Sequence, residues 1–131
     1  MPKVVPNLVN APQPLAPYSV ATEANGFVFI SGQVAIDRSG GPTPPDVVGQ
    51  TTLIMDNIGS ILQDLGLGYG DIVKTTVFMT DITGFAPMNE VYGSYFESGS
   101  PARSTFQVAA LPRAEFVIEI EAVVARRAED I

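Results

Sequence analysis

The chain predicts an α+β domain of order ββαβαββ, and three observations carry that expectation. An Asn25-Gly26 pair interrupts alternating apolar residues early on, as in a β-hairpin; two stretches repeat apolar residues every three or four positions, as in amphipathic helices; and three later runs have strand character. A length of 131 residues suits one domain with a sizeable core, and residues 1–131 are read as that single domain.

Taken in order, residues 1–17 are interrupted by Pro2, Pro6, Pro12, Pro14 and Pro17 and read as an extended arm, either tail or edge strand. YSVATEANGFVFISGQVA, residues 18–35, gives a strand, a turn at 23–26 and a second strand through 27–31, which the SGQ triplet breaks. DRSGGPTPP, residues 37–45, is a loop, and Asp46 stands where a helix N-cap is needed. Val47, Thr51, Ile54, Ile58, Ile61, Leu62 and Leu65 then line one helix face until Gly66 ends it. IVKTTVFMT, 72–80, is a strand by its β-branched content. Phe85, Met88, Tyr92, Tyr95 and Phe96 form a second helical stripe, with Pro87 in its first turn, and this stripe is read as core without a functional role. RSTFQVAAL and FVIEIEAVVA, separated by a turn at 112–114, are the final strands.

Composition narrows the chemistry. Hydrophobic residues make up 46% and charged residues 16%, the balance of a folded chain. Lys plus Arg number 7 against 14 Asp plus Glu; the net charge of -7 repels a phosphate backbone, so no nucleic-acid partner is expected. With no Cys, His or Trp, the sequence excludes disulfides, thiolate nucleophiles, Ser-His triads and the usual zinc sets. Chemistry is left to Glu, Asp, Arg, Lys, Tyr, Ser, Thr and the backbone. Prolines break up any signal-peptide core, and no run approaches the roughly 18 apolar residues of a membrane span. A cytoplasmic protein without a membrane partner is the expectation.

The last strand raises a specific question, because it carries Glu119 and Glu121 inside an otherwise buried pattern. Alternation puts Phe116, Ile118, Ile120, Ala122 and Val124 on one face and Val117, Glu119, Glu121 and Val123 on the other. A buried carboxylate needs a partner, water or a shifted pKa. In the preceding strand Arg103, Thr105, Gln107 and Ala109 share a face. If helices cover one side of the sheet, these half-polar faces look the other way, either as a solvated surface or as an interface with a second copy. In a simple hairpin Arg103 would lie opposite Val123, about 13 Å from Glu119. Either the two strands are not neighbours or a second subunit supplies one side of the site.

PARSTFQVAALPRAEFVIEIEAVVA, 101–125, resembles the C-terminal signature of the RidA/YjgF family of reactive-intermediate deaminases. The resemblance extends through APYS at 16–19, ISGQV at 30–34 and GDIVKTTVFMTDITGFAPMNEVYGSYF at 70–96. It implies a chorismate-mutase-like ββαβαββ domain with a mixed sheet and two helices packed on one face. It also implies a homotrimer with a barrel-like centre and sites between subunits. The implied activity is hydrolysis of short 2-imino acids to 2-oxo acids and ammonia, without metal or organic cofactor.

By the same resemblance Arg103 binds the substrate carboxylate, for which a planar guanidinium is suited. Glu119 activates water as a general acid/base, and Glu121 is structural. Tyr18, Ser31, Gly32 and Asn89 line the pocket with Thr105, which replaces a common Cys; Ala16 replaces a common Gly. Two other readings stay open at this point: a non-catalytic trimer that binds small carboxylates, and an RNA-cleaving activity, which the charge and the lack of histidine oppose.

Overall fold

The Asn25-Gly26 turn forms as its residues dictate. Asn25 (φ 52°) and Gly26 (φ 82°) both occupy the left-handed region, which a type I′ turn requires and these residues reach at least cost. The turn joins β1 (Ala21–Ala24) to β2 (Phe27–Gln33) in the computed structural model, which describes residues 2–127. The proline-rich arm runs along the sheet edge and makes one antiparallel bridge, Val4 to Glu23.

Helix α1 (Val47–Asp64) starts where Asp46 accepts a 2.8 Å hydrogen bond from the Gly49 amide, and it ends before Gly66 at φ 74°. Its apolar face, Thr51, Ile54, Ile58, Ile61 and Leu62, is buried against the sheet. Each such aliphatic side chain contributes roughly 1.5–3 kcal/mol. Helix α2 (Phe85–Gly93) packs on α1 and buries Met88 and Tyr92.

Strands β3 (Ile72–Met79), β4 (Ala102–Gln107) and β5 (Ile118–Ala125) complete a five-stranded mixed sheet of order β1-β2-β5-β3-β4. Only β3 and β4 are parallel. The last two strands therefore make no hairpin. Ile118, Ile120, Ala122 and Val124 are all buried, and β5 lies at the sheet centre, antiparallel to both β2 and β3. Strand β4 stops at Gln107 rather than residue 111, because its partner β3 ends at Met79, whose carbonyl takes the Val108 amide at 2.8 Å.

One expectation about faces is overturned. Arg103 is in register with Thr75 and Thr105 with Val77, and both β3 residues are buried on the helix side. The Arg103 face of β4 therefore looks toward the helices, whereas Glu119, in register with Phe78, looks away from them.

Candidate active site

Glu119 sits half-buried on the open face of β5, held from both ends of its surroundings. Upstream, buried Gln50 of α1 donates to the Pro44 and Glu115 carbonyls at 2.8 and 2.7 Å and accepts from the Val117 amide at 2.9 Å, fixing where β5 begins. Beside it, the β2–β5 register is interrupted between Ile30 and Gln33, and Ser31 and Gly32 fill the irregularity. A Cβ on Gly32 would lie 2.7 Å from the Glu119 Cδ; the missing side chain is the space the carboxylate occupies. Burial, and secondarily the charge of Glu121, push the Glu119 carboxyl above the usual carboxylate range.

The segment before β1 closes this cluster. Ser31 Oγ donates to the Ser19 carbonyl at 2.6 Å and its amide to the Val20 carbonyl at 2.8 Å. That pins residues 18–20 beside the bulge, where Tyr18 and Gly32 line one shallow hollow with Pro12, Pro14 and Gln33. Tyr18 is exposed, and its hydroxyl accepts a long 3.4 Å bond from the Leu15 amide. Gly32 thus has the Glu119 carboxylate against it and shares the hollow with Tyr18, with Ser31 beside it in the irregularity.

Arg103 forms the second group on the helix side. Its guanidinium carbon lies 4.9 Å from the Tyr92 ring centre and 5.5 Å from that of Phe85, within cation–π range. The Tyr92 hydroxyl shares a 2.6 Å hydrogen bond with Thr75 Oγ1. Burial raises the Tyr92 phenol above its ordinary pKa, although Thr75 and the Arg103 charge pull it down; the ring is a neutral phenol at physiological pH. Asn89 falls between Phe85 and Tyr92 on the same face of α2, and Thr105 follows Arg103 by two residues on the same face of β4. Asn89 Oδ1 and Thr105 Oγ1 are buried and have no hydrogen-bond partner among the described residues. Among the described residues no carboxylate makes an ion pair with Arg103.

Phe85, Tyr92 and Thr75 were not among the expected site residues. Phe85 corrects the reading of the 85–96 stripe as core, being 40% exposed with its ring turned to Arg103. The helical spacing of Phe85, Asn89 and Tyr92 was visible; that a strand arginine would lie over it depended on the β3–β4 pairing.

The two groups do not meet within one chain. Arg103 is level with Thr75 and Glu119 with Phe78, three residues along β3 and on strands either side of it. Their backbones are roughly 14 Å apart by strand rise and spacing, and the side chains leave opposite faces of the sheet. Of the two alternatives for the final strands, they are indeed not neighbours, yet this leaves Arg103 and Glu119 still separated. One group offers a free guanidinium fork with unfilled polar atoms beside it; the other offers a carboxyl whose raised pKa suits proton transfer.

Among the described residues no cluster of three or more His, Cys, Asp and Glu could hold a metal ion, and no helix is long and apolar enough to cross a membrane. A sequence model of the family described as Endoribonuclease L-PSP matches residues 8–126. A RutC family protein of Pyrococcus horikoshii is 44% identical over 115 residues, covering 87% of this chain and 90% of its own. The 2-iminobutanoate/2-iminopropanoate deaminase of Escherichia coli K12 is 40% identical over 121 residues, covering 90% and 94%. The solved structure of E. coli TdcF with bound serine superposes with a TM-score of 0.84 at 40% identity, covering 90% of this chain and 94% of that one. By sequence match and by fold alike, the chain belongs to the RidA/YjgF family, the family of the Endoribonuclease L-PSP model.

Proposed function

We propose that this protein hydrolyses short 2-imino acids to 2-oxo acids and ammonia in clefts between the subunits of a homotrimer. The observation that carries the reading is the Arg103 guanidinium, held on two rings with no acidic partner among the described residues. A carboxylate ligand supplies the missing anion. TdcF, a relative at 40% identity, is a structure with bound serine, an α-amino carboxylate. Relatives at 40 and 43% identity carry the name 2-iminobutanoate/2-iminopropanoate deaminase.

In this reading Arg103 grips the substrate carboxylate and Glu119 of a neighbouring copy takes a proton from water as its oxygen attacks the imine carbon. Glu119 then returns that proton to nitrogen, giving the carbinolamine; it next carries the hydroxyl proton to the amine, and the C–N bond breaks as the C=O bond forms, so that ammonia leaves and the 2-oxo acid remains. Tyr18, Ser31 and Gly32 shape the wall beside Glu119, while Asn89 and Thr105 offer polar atoms beside Arg103. A subunit boundary is supported by the opposite faces the two groups occupy and by the apolar residues beside Glu119. Phe29 and Phe106 are 47% and 45% exposed on that open face, with Phe78 edge-to-face against Phe106 at 5.4 Å between ring centres. A lone chain would leave this patch in water.

The test is acceleration of 2-oxo acid formation from imines released by a serine or threonine dehydratase. Arg103→Lys keeps the charge but loses the fork, so efficiency should fall about 10- to 100-fold, the loss of one charged hydrogen bond of roughly 1.5–3 kcal/mol, with oligomer mass unchanged. Tight 2-oxo acid binding with no turnover would replace the enzyme by a carboxylate-binding module. The RNA-cleaving reading in the family model's description finds no support in a net charge of -7 without histidine.

A further inference from the structure

We propose that Phe85 and Tyr92, the latter locked by Thr75, are positioning residues that set the plane and direction of the Arg103 guanidinium and thereby the affinity for the substrate carboxylate. The proposal rests on the reading of Arg103 as the carboxylate grip.

A free arginine side chain on an edge strand samples many rotamers, and each hydrogen bond it makes must first overcome that freedom. Arginine at binding sites is often restrained by a carboxylate, but such a partner would compete with an anionic substrate for the same N–H groups. Here two rings take that place. They attract the cation through their faces and leave its in-plane donors free. Tyr92 is itself buried, with its hydroxyl bonded to buried Thr75 at 2.6 Å, while Thr75 is in register with Arg103 on the adjoining strand. The support therefore runs from the core of β3 through one phenol to the guanidinium. Phe85, at the first turn of the same helix, lies near it at 5.5 Å and is partly open to solvent.

The assembled protein is tested with Phe85→Leu, Tyr92→Leu and Tyr92→Phe, measuring both imine hydrolysis and the Kd of 2-oxobutanoate by calorimetry. Losing either ring should raise KM and Kd about 3- to 10-fold, more than it lowers kcat. Tyr92→Phe keeps the ring and should recover most of the affinity lost in Tyr92→Leu. Because Phe85 is partly exposed, its variant reads the effect even where Tyr92→Leu disturbs folding. In an Arg103→Ala background, Phe85→Leu should leave Kd where Arg103→Ala alone puts it. Equal losses in both backgrounds would mean that the rings act through the fold; unchanged affinity in the ring variants, with Arg103→Ala weakened, would mean that they do nothing for Arg103. Either overturns the positioning role while the grip stands. Native affinity in Arg103→Ala would overturn the grip and this proposal with it.

Discussion

Glu119 is a carboxyl kept partly out of water beside a second carboxylate, and its chemistry follows from that. Because its pKa is raised in the fold, the native state holds the proton more tightly than the unfolded chain. Its contribution to stability is therefore greatest at low pH and is lost as pH rises from the ordinary Glu value of about 4.3 through the raised value. Glu119→Gln should accordingly raise Tm at pH about 7 while leaving it nearly unchanged at pH about 4; parallel melting curves at both would contradict the burial. The same variant should lower turnover far more than Glu121→Gln, since Glu119 is the carboxylate that lies against Gly32, and equal losses would make the two carboxylates a structural pair. Gly32→Ala should reduce kcat about 10- to 100-fold with little change in Tm, because the added methyl meets the movable end of a flexible side chain rather than backbone. At this scale the sequence marked Glu119, Gly32 and Arg103 through the family's motifs. Strand alternation divided the residues between two faces but could not say which face the helices cover, so Arg103 was placed on the wrong side and Phe85 in the core.

Elements with local signals were legible, and those set by distant pairing were not. The β1–β2 turn follows from Asn25-Gly26, and α1 follows from its Asp46 cap, apolar spacing and Gly66 stop. Nothing near 118–125 says that the last strand belongs between the second and third, or that β4 must end where β3 runs out. The device that seats β5 is equally hidden, being one buried amide on α1. Replacing Gln50 by Leu would leave the Pro44 and Glu115 carbonyls and the Val117 amide without that partner. At roughly 1–3 kcal/mol for each buried group left unpaired, stability should fall by about 3 kcal/mol or more. A urea titration reads it as a lower midpoint at unchanged m, and a near-native midpoint would show that water replaces the amide without cost.

For the whole molecule, the proposed homotrimer rests on the open sheet face. Phe29→Asp places a charge in that exposed apolar patch and should convert an assembly of about three chains into single chains of 13.9 kDa by light scattering, with imine hydrolysis lost although each chain stays folded. An unchanged mass would move the interface elsewhere. The central claim, that each site takes Arg103 from one chain and Glu119 from the next, is tested most directly by mixing two inactive variants. Arg103→Ala and Glu119→Gln chains, unfolded together and reassembled at equal amounts, should recover about one quarter of native activity, the chance that a cyclic trimer interface pairs an intact Arg103 with an intact Glu119. Activity no higher than that of the separate variants would contradict the shared site.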